Sequence, residues 1–77
     1  MENKDNAHRV ALGEQLRKIR EDKGMSIREL AERADIHFSN VGKIELGKYN
    51  VSIDVLNRIC KVLGCQITLK KEDHEEE

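Results

Sequence analysis

The sequence has no proline and no tryptophan, and one phenylalanine and one tyrosine are its only large aromatics. Without proline, nothing in the chain forces a helix to break, so helix ends must come from glycine and capping residues. With so few aromatics the core must be aliphatic. Two cysteines, Cys60 and Cys65, are too few for a disulfide framework and read as reduced core thiols. Their spacing, with His8, His37 and His74 scattered elsewhere, gives no metal-ligand cluster. No apolar run approaches the ~18 residues of a membrane span. The N-terminal "MENKDNAHRV" also lacks the apolar core of a signal peptide, so a cytoplasmic location is expected. There is no nucleophile–base pair and no glycine loop able to cradle phosphate, so an enzyme is not expected and no cofactor is implied.

What is present is charge. Of 77 residues, 38% are charged, against about a quarter in ordinary domains. The net charge of −1 conceals a segregation. The terminal "EDHEEE" holds five acids and no base, and without it 14 basic residues face 10 acidic ones. A basic body hints at a nucleic-acid partner. A solvated surface with a disordered tail accounts for the same numbers.

The length fits one small domain with a modest core. Asp5 or Asn6 can cap a first helix, in which Leu12, Leu16 and Ile19 recur at helical spacing before Lys23 and Gly24 close it. In "MSIREL", Ser26 caps and Glu29 is placed to reach back to the Ser26 amide, a capping box; Met25 and Leu30 form the matching staple. This second helix ends near Ala34. After a turn at Asp35–Ile36 a third runs from Phe38 to Leu46, with Val41 and Ile44 inward and Gly47 as its stop. Ser52 caps a fourth, which turns Leu56, Ile59, Cys60 and Leu63 inward and ends at Gly64. Thereafter "CQITLK" alternates apolar and polar, which predicts a strand.

Two short helices joined by a tight turn make a helix-turn-helix candidate. Ala31 supplies the small residue where the helices cross. Leu30, Ala34, Ile36, Val41 and Ile44 tie both helices to the scaffold, which leaves one face of the second free. An ordinary α-bundle would share the periodicity. The run from Leu12 to Gly64, "LGEQLRKIREDKGMSIRELAERADIHFSNVGKIELGKYNVSIDVLNRICKVLG", resembles the lambda repressor-like, Cro/XRE-type DNA-binding domain, above all in "IREDKGMSIRELA", "VGKIELGK" and "LNRICKVLG". Three positions depart from that pattern: Ile27 stands where glutamine is common, Asp35 where the turn usually has glycine, and "CQITLK" where a fifth helix often follows.

The resemblance implies a sequence-specific DNA-binding regulator, usually dimeric. It places Phe38, Ser39, Gly42 and Lys43 on the groove-facing side of the recognition helix, and pairs Arg20 with Glu45 as a structural ion pair. Lys43 can donate to guanine, Phe38 can pack on a thymine methyl, and Ser39 can donate to base or phosphate. Phe38 could instead be partly buried. His37 and Asn40 lie where a helix N-terminus attracts phosphate; Arg28, Lys48 and Tyr49 are further phosphate candidates. Gly42, costly in a helix interior, either lets the helix approach DNA more closely or is a tolerated accident.

The expected architecture is therefore mainly α: a four-helix helix-turn-helix domain at 7–64, a C-terminal strand at 65–70, and an acidic disordered tail at 71–77. A lone strand cannot satisfy its own backbone, so a second copy is expected to pair with it across a twofold axis through Ile67, Thr68 and Leu69, as some XRE-type antitoxins do. Ile67 and Leu69 would face the helices. The alternative is an irregular tail lying on its own helices. The expected function is a repressor on an inverted-repeat operator in double-stranded DNA. The runner-up is an antitoxin whose main partner is a toxin protein.

Overall fold

The computed structural model describes residues 4–71. The acidic tail at 72–77 lies outside the described residues. Four helices follow in order: α1 (Lys4–Asp22), α2 (Ile27–Ala34), α3 (Phe38–Glu45) and α4 (Ile53–Leu63). Helix α1 begins before the expected caps and takes Asp5 and Asn6 into its backbone, because neither residue costs more than a fraction of a kcal/mol inside a helix.

The helix ends follow local chemistry. Ser26 Oγ accepts from the Glu29 amide at 3.0 Å, and Ser52 Oγ accepts from the Val55 amide at 3.1 Å. The expected capping box is only half made. Glu29 turns its carboxylate to Arg33, whose Nη2 donates at 3.0 Å; a charged donor one turn away, at i+4, outbids a backbone amide. Each helix is followed by one left-handed residue: Gly24, Asp35, Gly47 and Gly64. Asp35 is the exception to glycine, at φ 59° and ψ 50°. Its short polar side chain tolerates that region better than most, and the Ile36 amide then closes α2 on the Ala31 carbonyl at 3.0 Å.

Helix α2 packs against both α3 and α4, while α1 lies against α3. Leu30, Val41, Ile59 and Leu63 are the most deeply buried side chains, joined by Leu16, Met25, Ile44 and Cys60. The α1–α3 crossing is made at Gly13. A Cβ there would stand 2.4 Å from the Ile44 carbonyl oxygen and 2.5 Å from that of Glu45, so only a glycine lets the two backbones come this close.

Residues 65–71 carry no regular secondary structure in the single chain. The expected strand has nothing to pair with, since no strand is found among the described residues. The segment from Cys65 to Thr68 borders a groove whose other walls are Leu12, Leu16 and Ile19 of α1 and Leu56 of α4. Leu69, expected to face the helices, is instead 99% exposed: with no partner strand, nothing directs it inward. No described helix is long and apolar enough to cross a membrane.

Candidate nucleic-acid interface

Helix α3 is two-faced. Val41, Ile44 and Glu45 are buried, while Phe38, Ser39 and Lys43 are exposed and Gly42 is half-buried. Residues 38 and 42, and 39 and 43, are i,i+4 neighbours, so the four form one stripe along the outer side. A Cβ at Gly42 would meet nothing within 4 Å. No contact inside this chain therefore explains the glycine.

The helix is held at both ends. His37 is its N-cap: Nδ1 accepts from the Ser39 amide at 3.2 Å, with Ser39 Oγ 2.8 Å from the same nitrogen. An accepting Nδ1 puts the proton of the neutral ring on Nε2. At the far end Glu45, buried, accepts from Arg20 Nε at 2.6 Å and Nη2 at 3.0 Å. Arg20 Nη1 also donates to the Met25 carbonyl at 2.7 Å. One guanidinium thus joins α1, the turn before α2 and the end of α3. The hydrogen bonds to Glu45 raise the Arg20 pKa further, against the opposing effect of burial, so the guanidinium keeps its charge in this buried position. The expected ion pair is present as such.

Phe38 is 40% exposed, so part of its ring is covered by neighbouring side chains and part is open to solvent. Its ring stacks on His37 with centroids 4.9 Å apart and 23° between planes. The Arg28 guanidinium carbon stands 4.1 Å from the Phe38 centroid. Asn40 is half-buried on the first turn of α3; Lys48 and Tyr49 are exposed just after it. The structure therefore brings Arg28, His37, Phe38 and Ser39 together at the N-terminal end of α3 and leaves Lys43, Lys48 and Tyr49 towards its other end.

Besides the capping role of His37, two features escaped the sequence reading. Gly13 and Gly47 set the position of α3 against α1; a Cβ at Gly47 would lie 2.7 Å from the Val10 backbone. Arg17 borders the surface beside Gly42, in a groove shared with Glu21, Ile27 and Leu46. Its spacing of three from Arg20 was the available signal. Among the described residues no three His, Cys, Asp or Glu side chains are grouped as metal ligands.

The fold and sequence are similar to those of known proteins. Residues 16–70 match the helix-turn-helix family HTH_3. The chain is 41% identical over 59 residues to control protein C.BamHI of Bacillus amyloliquefaciens, covering 75% of this chain and 73% of that one. The restriction-modification controller protein C.AhdI from Aeromonas hydrophila superimposes with a TM-score of 0.76 at 33% identity, over 78% of this chain and 91% of that one. The clp gene regulator ClgR from Corynebacterium glutamicum gives a TM-score of 0.72 at 40% identity, over 74% of this chain and 61% of that one. A two-helix unit whose second helix is held at both ends, an outward-facing stripe on that helix, and these likenesses lead to one conclusion: the chain belongs to HTH_3, the Cro/C1-type helix-turn-helix family of DNA-binding transcriptional regulators.

Proposed function

We propose that this protein acts as a homodimeric repressor in the cytoplasm, binding an inverted-repeat operator through α3. The observation that carries the reading is the outer stripe of Phe38, Ser39, Gly42 and Lys43 on a helix whose two ends are fixed by His37 and by the Arg20–Glu45 pair. Such fixing removes the entropic cost of ordering the helix at the moment of binding. Lys43 donates to a guanine edge, and Ser39 to a base or the adjacent phosphate. Gly42 lets the helix backbone approach the groove floor. His37 through Nε2, Asn40, Lys48 and Tyr49 flank the stripe as phosphate contacts, and Arg17 joins them on the side of α1.

Dimerisation is assigned to residues 65–70. Two copies of "QITLK" pairing antiparallel across a twofold axis would satisfy the backbone that the single chain leaves open, with Ile67, Thr68 and Leu69 at the interface. The full exposure of Leu69 fits a side chain awaiting that partner. Two α3 helices then meet successive major grooves about 34 Å apart. The antitoxin reading is weaker, because the relatives' names describe control and gene regulation.

Selection of bound duplexes from a random pool tests the proposal. The expected result is an inverted repeat, bound with an affinity that falls by about 0.9 log units per log unit of salt for each phosphate neutralised. Sequence-blind binding would refute specific regulation. Truncation after Gly64 is expected to give a monomer with weakened operator binding; a truncated chain that sediments as a dimer would remove the strand from the interface.

A further inference from the structure

We infer that Arg28 and Phe38 form a single reading unit for a 5-methylpyrimidine followed by guanine, a TpG or methylated CpG step, in the major groove. The inference rests on the DNA-binding reading above and deepens it to a class of base step. It also moves Arg28 from the phosphates to the bases.

An arginine in the first turn of a helix beside DNA would ordinarily extend towards phosphate. Here its guanidinium lies 4.1 Å from the Phe38 ring centroid, across the turn between the helices. The ring is stacked on His37, and His37 is fixed in turn by its bond to the Ser39 amide. The cap thus orders His37, His37 orders Phe38, and Phe38 orders Arg28. Phe38 nonetheless stays 40% exposed, at the first residue of α3 beside Ser39 and Gly42 on its outer side. The apolar group that the major groove offers to such a surface is the 5-methyl of a pyrimidine.

This contact leaves the arginine able to read. A guanidinium held over an aromatic ring by cation–π attraction uses none of its N–H donors in a conventional hydrogen bond to that ring, so its N–H fork stays available. That fork matches O6 and N7 of guanine. The separation also fits. Two groups about 4 Å apart can address adjacent bases, which lie 3.4 Å apart along a strand. Right-handed twist brings the methyl of the 5′ pyrimidine towards the edge of the guanine that follows it, so Phe38 covers the methyl while Arg28 takes the guanine.

The test uses the full chain and its selected operator, with single-atom changes in the DNA. Uracil for thymine, at the pyrimidine preceding the key guanine, is expected to weaken binding about fourfold, the effect of one buried methyl-sized group. 5-Methylcytosine at that position should bind about fourfold better than cytosine by the same reckoning. 7-Deazaguanine in place of the guanine should weaken binding about tenfold. Phe38→Ala should abolish the methyl effect and Arg28→Ala the deazaguanine effect; both side chains are exposed, and circular dichroism melts confirm that the variants fold. The inference is overturned, with the function intact, if the operator is bound specifically but no uracil or 5-methylcytosine substitution changes affinity. It is equally overturned if Arg28→Ala weakens all sequences alike and lowers the salt slope by about one, as a phosphate contact would. Failure to bind any selected duplex overturns both readings.

Discussion

Two glycines inside helices should respond to the same substitution with opposite signs. Replacing glycine by alanine in a helix interior ordinarily stabilises by about 0.5–1 kcal/mol, through reduced freedom of the unfolded chain. At Gly42 nothing lies within 4 Å of the new Cβ, so the full gain is expected. At Gly13 the Cβ would meet the Ile44 and Glu45 carbonyl oxygens at 2.4 and 2.5 Å. These are backbone atoms, so relief requires α1 and α3 to move apart rather than a side chain to turn. Overpacking of this kind costs about 1–3 kcal/mol, and a rigid neighbour places it near the top of that range. The net for Gly13→Ala is a loss of about 2 kcal/mol. For a domain of this size 1 kcal/mol corresponds to about 4–8 °C. Thermal melts followed by circular dichroism should therefore show Gly42→Ala rising by roughly 2–8 °C and Gly13→Ala falling by roughly 8–16 °C. A Gly13→Ala protein that melts at or above the parent temperature would refute the close helix approach. The Gly42 variant reports on function as well: raised stability with unchanged operator affinity would remove the case for close groove insertion.

Glu45→Ala strands the buried Arg20 charge and is expected to cost about 3–5 kcal/mol by urea denaturation; a cost below 1 kcal/mol would mean that the pair does not hold α3. Ser26→Ala and Ser52→Ala should each cost about 1 kcal/mol, and the double variant should show their sum, since the caps serve separate helices. Burial first, and then the neighbouring Cys65 thiol, push the Cys60 thiol from its ordinary value near 9 up to about 11. The unfolded thiol ionises before the folded one, so this contribution to stability is complete below pH 9 and is lost as the pH rises to about 11. Urea midpoints of the parent and Cys60→Val between pH 8 and 11 check this: the parent should lose stability more steeply.

How far the sequence revealed the molecule depended on the range of the interaction. Ser26, Ser52 and the glycine stops act within a few residues, and their placement could be read directly. The left-handed Asp35 followed from its own side chain. The Arg20–Glu45 pair spans 25 residues and was visible only through family resemblance. Gly13 was invisible because its constraint comes from the carbonyls of a helix thirty residues away, and nothing near it in sequence marks the crossing. Glu29 was misassigned because two partners were within reach, and charge decided for Arg33. The role of His37 as a cap was missed, since histidine is not a preferred N-cap residue. The strand was read from an alternation that is present, but a second strand lies outside what one chain can supply.

The Arg20 clamp also has a kinetic meaning. Two of its three hydrogen bonds, those to Glu45, join parts of the chain that meet only after α3 has docked on α1, and an ion pair gains strength only once water has left it. It is therefore expected to form after the main folding barrier. Losing it should speed unfolding and leave the folding rate nearly unchanged, which stopped-flow measurements on Glu45→Ala can check: a slowed folding limb would place the clamp earlier. A lock that closes last governs how long each molecule stays folded. For a regulator whose unfolded form is degraded faster than it refolds, that residence time sets how quickly its gene circuit can be reset.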